Sequence, residues 1–254
     1  NFYKILESYI REFKYLRHYI LSILLVLVAS YSIYLIFDAE TVSLLGEEDQ
    51  IFEWLTFLFF LFASFVFIYL FVKSKNIFLL LLFIALFFAA GEEISWGQRL
   101  FNIETPEKFL ENNVQDELTI HNLNLFSTVE SSGKVKTGLE KLLTMNFMFR
   151  IATILFGILL PFAVYHFGFI KKLTKRIKLP VPPISLGIFF LINWIIYRVL
   201  HSNILSPEYG FQYLNTADEI MENIAAFILF MISIFFLQTG KQVNIIGADV
   251  KDSI

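Results

Sequence analysis

The chain contains no cysteine and little charge. Without cysteine it cannot be a secreted disulfide scaffold. Charged residues make up 17% of its 254 positions, where a soluble domain carries about 25%. The formal net charge of −3 excludes a basic nucleic-acid binder. Apolar residues are abundant instead: 57% of the chain is hydrophobic, 31 residues are Phe, and the mean hydropathy is +0.65. A soluble fold of this size has too little interior to hide them, so the composition is that of a membrane protein.

A bilayer core of about 30 Å takes about 20 helical residues. Six segments qualify: 19–37, 54–72, 77–96, 147–170, 184–200 and 219–237. Their length favours helices over barrel strands, which would alternate in segments of about ten residues. The expected fold is all-α: a polytopic integral membrane protein with six transmembrane helices and a partly helical outer cap loop over 101–146. Pro161 is expected to kink the fourth span, and Gly91 to allow close approach of helices.

The connections alternate in charge. Segments 1–18, 73–76, 171–183 and 238–254 hold 13 of the 20 Lys and Arg and 4 of the 23 acids, a net of +9. The remainder holds 7 basic and 19 acidic residues, a net of −12. The positive-inside rule then puts both termini in the cytoplasm. The basic run 171–178 is the strongest determinant, with anionic-lipid binding as a secondary role. Residues 1–18 lack a signal-peptide cleavage site and read as an amphipathic helix on the inner surface. Residues 239–254 read as a cytoplasmic tail. Thr105-Pro106-Glu107 and Ser206-Pro207-Glu208 read as helix starts, and 137–140 and 216–219 as capping boxes.

Three spans bring ionisable groups to one level. At 1.5 Å per residue, Glu92, Arg198 and Glu222 each fall roughly 8 Å beneath the outer boundary, with His201 one turn shallower. Charges inside a span cost about 2.5–3.5 kcal/mol each, so they are expected to turn inward and pair. Helical spacing groups Glu92, Trp96 and Arg99. It likewise groups Trp194, Arg198 and His201, and Asp218, Glu222 and Ala226. Acids outnumber bases here, and that excess calls for a metal ion, protonated carboxyls or a cationic ligand.

Two functional classes follow. In the first, the chain is a metal-dependent enzyme acting on a lipid-linked or glycolipid substrate at the outer leaflet. Its catalytic candidates are Glu92, Glu93, His121, Arg198, His201 and Glu222. Glu93, His121, His201, Asp218 and Glu222 are candidate ligands for zinc, manganese or iron. Trp96, Gln98, Arg99, Asn122 and Trp194 are substrate-binding candidates, with Arg198 and Arg99 suited to an anionic head group. No HExxH is present and no two His stand at i, i+4. In the second class, the chain is a transporter, a channel or a structural subunit whose buried charges are ion pairs. Expected partners are membrane lipid and either a second copy or another membrane subunit; no nucleic acid is expected.

The segment Gly91-Glu92-Glu93-Ile94-Ser95-Trp96-Gly97-Gln98-Arg99, followed by Glu104-Thr105-Pro106-Glu107, Gln115-Asp116-Glu117 and His121-Asn122-Leu123, resembles an uncharacterised family of bacterial polytopic membrane proteins. The resemblance covers roughly residues 47–125 and implies membrane embedding without naming an activity. Glu92-Glu93-Ile94-Ser95 also resembles the Glu-x-x-Ser element of membrane hydrolases related to alkaline ceramidases, which hold zinc with intramembrane His, Asp and Ser. The HxxxH pair of those enzymes is absent here.

Overall fold

The structure is a computed structural model that describes residues 16–47, 49–115, 117–201 and 211–239. Most of the 1–18 segment, the 206–208 helix start and nearly all of the 239–254 tail therefore lie outside the described residues. The fold is all-helical, with no strand among the described residues beyond two isolated bridges. The helices are α1 (Arg17–Ile36), α2 (Ala39–Leu45), α3 (Ile51–Ser74), α4 (Ile77–Glu93), α5 (Met145–His166), α6 (Gly168–Ile177), α7 (Ile184–Val199) and α8 (Phe211–Thr239).

Four helices, α1, α3, α5 and α8, are long and apolar enough to cross a membrane. The other two expected spans are shorter: α4 has 17 residues and α7 has 16. The expected 77–96 span stops at Glu93 because Ser95, Trp96 and Gly97 all take positive φ, at 47°, 54° and 78°. Three left-handed residues in succession turn the chain back on itself. The expected 147–170 span stops at His166, where extended Phe167 separates it from α6. Pro161 acts through a π-turn at Leu155–Leu159 rather than a simple kink. Its ring and missing N–H prevent regular α-bonding to the turn before it, and one extra residue is absorbed there.

Helix α8 is the hub. The apolar window of α8 is 72% buried, against 17–28% for the other three candidate spans. It packs on α1, α2, α3 and α7. Ala217, Ala225 and Ala226 keep its surface low enough for close approach. Phenylalanine rings fill the seams: Phe59 meets Phe227 at 4.9 Å and Phe67 meets Phe236 at 6.1 Å. The outward faces of α1, α3 and α4 stay apolar and uncovered, as at Leu25, Phe65 and Leu81. Such a surface suits hydrocarbon and not water. Helices α5 and α7 cross backbone to backbone, since a β-carbon on Gly187 would lie 1.7 Å from the Gly157 carbonyl oxygen.

The expected capping box at 216–219 lies inside α8, because that helix already begins at Phe211. The Thr216 hydroxyl instead donates to the Val42 carbonyl at 2.9 Å, tying α8 to α2. The short helix Glu107–Leu110 and the 3₁₀ turn Glu140–Leu143 also start without side-chain caps. A side-chain cap that does form is Asp38, whose carboxylate accepts from Thr41 N at 2.8 Å. That bond holds the Asp38 carboxyl below its ordinary value of 3.8. The capping stability is therefore complete above that value and is lost as pH falls through the lowered one. Protection of the Thr41 amide in hydrogen exchange is expected to drop in acid. Asp38→Asn keeps an acceptor and should remove that pH dependence.

Candidate functional site

The turn after α4 is built around Glu92, which is 6% exposed. Its Oε1 accepts from Trp96 Nε1 at 2.6 Å. Its Oε2 accepts from Ile120 N at 2.7 Å and His121 N at 2.8 Å, with His121 Nδ1 at 3.2 Å. Gly91 serves this turn rather than helix approach, because a β-carbon there would lie 2.7 Å from the Trp96 ring. The same segment holds the loop at further points. Ser95 Oγ donates to Glu117 Oε2 at 2.8 Å, and Gln98 Oε1 accepts from Leu118 N at 2.6 Å. Gln98 Nε2 also donates to Thr105 Oγ1, and Asn122 Nδ2 to Gln115 Oε1. Asn113 closes the loop from within, donating to the Glu117 and Thr119 carbonyls at 2.9 Å. Glu92, Ser95 and Gln98, with Trp96 bracing Glu92, thus form a clamp that docks the loop on the end of α4, while Asn122 ties the loop to itself. The Glu-x-x-Ser element is part of that clamp.

Next to the clamp lies a group of carboxylates. Glu93 stands in the electrostatic field of Glu222, Glu219, Glu53 and Glu92. Glu222 in turn feels Asp218, His121 and Arg150. The contributors come from α3, α4, α5, α8 and the loop, while Arg198, which rise per residue put at the same level, stands on the exposed face of α7. Glu53 also accepts from the Asp49 backbone N–H, which keeps it at the start of α3.

The positive partner of Asp218 is Arg150. Its Nη2 lies 3.6 Å from Asp218 Oδ1, and its guanidinium sits 5.1 Å from the Tyr197 ring centroid. Tyr197 also acts on Asp218 electrostatically, and the His201 ring lies tilted against Tyr197 with centroids 5.5 Å apart. Arg198 and Trp194 were expected on the inward face of α7, yet both are exposed. The inward face carries Asn193 and Tyr197, 2% and 6% exposed. Asn193 accepts from the Tyr31 hydroxyl at 2.8 Å and donates to the Met221 carbonyl at 2.8 Å. The side chain of Arg99 lies outside the described residues.

Sequence reasoning placed Arg150 only near the surface of the fourth span and passed over Tyr197, Tyr31 and Asn193. A polar Asn193 four residues before Tyr197, in an otherwise apolar helix, was the available signal. Among the described residues no three His, Asp or Glu side chains converge to hold a metal ion. Glu92 and His121 lie against each other, and Asp218 pairs with Arg150. Glu93, His201 and Glu222 are the members of the expected ligand set outside both the clamp and the Arg150–Asp218 pair, and His201 lies against the Tyr197 ring. Compared with known proteins, the chain matches no family model, no curated protein and no solved structure.

Proposed function

We propose that the chain is a six-span enzyme of the bacterial inner membrane, with both termini cytoplasmic and the 101–146 loop as an outer cap. It acts at the outer leaflet on a lipid-linked substrate with an anionic head group. Glu93 and Glu222 hold a divalent ion. Two carboxylates suffice for an ion of the magnesium or manganese kind, which keeps several waters and takes substrate phosphate oxygens as further ligands. An ion held by Glu93 and Glu222 would supply Lewis-acid polarisation and a water of lowered pKa. Arg198, exposed on α7, meets the head group from the lipid side. The feature that supports this reading is that Glu93 on α4 and Glu222 on α8 lie close enough to act on each other electrostatically. Carboxylates so placed balance their repulsion with a cation or a proton.

The topology is checked first. The chain has no native cysteine, so Ser132→Cys gives a single label site. A membrane-impermeant thiol reagent is expected to reach it from outside intact cells. Labelling by permeant reagent alone would place the loop on the other face and remove the outer-leaflet substrate.

Ion binding is checked by melting the detergent-solubilised protein. An ion bound only to the folded state stabilises by about 2.7 kcal/mol at a hundredfold excess over Kd. Chelator is expected to lower the melting temperature, and magnesium or manganese to restore it. Glu93→Gln and Glu222→Gln should each abolish the response while leaving the fold intact. Melting curves that ignore chelator, ion and both substitutions would leave a scaffold of buried charges in place of an enzyme.

A further inference from the structure

The opposite, basic end of the molecule carries a surface that the acidic site does not use. Helix α6 is a separate ten-residue element, set off from α5 by extended Phe167 and closed by Lys178 at φ 58°. Phe169, Leu173 and Ile177 follow one another at i, i+4, i+8, and they are 77%, 43% and 41% exposed. Thr174, beside that stripe, is 2% exposed against the protein. At 100° per residue, Lys171, Lys172, Lys175 and Arg176 fall on the remaining arc. One face therefore rests on the bundle, one is apolar and uncovered, and one is cationic.

A second connection reinforces the charge. Asn76 Nδ2 donates to the Lys178 carbonyl at 2.7 Å, which fastens the α3–α4 turn to the end of α6. That turn carries Lys73 and Lys75, whose ammonium groups lie 5.6 Å and 5.8 Å from the Tyr69 and Phe71 ring centroids. Their stems lie along aromatic surface while their charges stand at the helix end. Seven basic residues, from Lys73 to Lys178, belong to two chain segments tied at one place, and neither segment contains an acid.

We propose that α6 lies in the membrane interface and, with Lys73 and Lys75, gathers anionic phospholipid headgroups in the leaflet at this end. The apolar stripe enters the acyl boundary beside the span it follows, and the cationic arc faces the headgroup layer. Charge complementarity selects the occupant: several cations at the surface attract lipid phosphates that carry a net negative charge. The geometry also accounts for the break at Phe167, since a continuous helix could not lay Phe169 and Leu173 along the interface. The inference stands independently of the reading of the acidic site.

The test uses the full chain in bilayers of phosphatidylcholine with phosphatidylglycerol. Nitroxide labels are placed singly at Leu173→Cys and Lys172→Cys. Collisions with lipid-soluble oxygen are expected to dominate at 173, and collisions with a water-soluble nickel chelate at 172, each by several-fold. Equal ratios at the two positions overturn the interfacial placement. Shielding of both labels from both reagents also overturns it, pointing to a protein partner. In a second arm, spin-labelled phosphatidylglycerol and phosphatidylcholine compete for the protein surface. The triple variant K172Q/K175Q/R176Q is expected to lower the preference for phosphatidylglycerol at least about twofold. An unchanged preference would show that these cations do not select the lipid.

Discussion

Replacing Glu92 with alanine is expected to free the 112–124 loop while leaving the helices of the bundle in place. Trp96 Nε1 and the backbone N–H groups of Ile120 and His121 donate to this one carboxylate, and His121 Nδ1 lies alongside. A buried donor left without its acceptor costs about 1–3 kcal/mol. Losing several together should lower local stability by about 3 kcal/mol or more, even after water enters. Each 1.4 kcal/mol is a factor of ten, so exchange of the Ile120 and His121 amides should accelerate by about a hundredfold. Amides in α8, far along the chain and buried, should keep their protection. Hydrogen exchange read by mass spectrometry separates the two regions. Unchanged exchange at 120 and 121 would show that the loop is held by its internal Asn113 bonds and not by the α4 end.

The second large effect is expected at Arg150. The pair with Asp218 is mostly withdrawn from water, with side chains 25% and 29% exposed. Removing one partner of a fully buried pair costs about 3–5 kcal/mol, and exposed pairs are worth under about 1 kcal/mol. Arg150→Ala is therefore expected to cost about 2 kcal/mol, with lost packing on Tyr197 included. Asp218→Asn added to that variant should recover part of the loss, because it removes the stranded charge. Arg198→Ala, at an exposed position, should cost under about 1 kcal/mol. Equilibrium unfolding in detergent, arranged as a double-mutant cycle, measures the coupling. Additive losses at 150 and 218 would mean that the observed contact contributes nothing to folding.

These two expectations sit at the places where sequence reasoning and tertiary structure part. Glu92 stood out as an ionisable group inside an apolar segment, and that signal was sound. Its partners were invisible, because Ile120 and His121 are 28 and 29 residues away and two of their donors are backbone N–H groups. No side-chain pattern announces a backbone donor. Arg198 stood out for the same reason as Glu92, but the helix places it on the outer face. Arg150, which drew less notice at the start of its span, carries the ion pair with Asp218.

The sequence by itself determined that the chain is all-helical and apolar enough to meet a membrane, and that its two ends differ in charge. Those properties follow from composition and from local order along the chain, which no packing arrangement can alter. It also put Glu92, Arg198 and Glu222 at one depth, since rise per residue converts position into depth, and depth alone says nothing of contact. The tertiary structure alone decided which face of α7 turns inward. A 3.6-residue period relates side chains within one helix to each other, but rotation of the helix is set by its neighbours. A turn of about 100° exchanges Trp194 and Arg198 for Asn193 and Tyr197. The tertiary structure also decided that α8 is the hub and that the 91–99 segment is a clamp. Both depend on contacts between residues far apart in the chain, where the preferences of single segments carry no information.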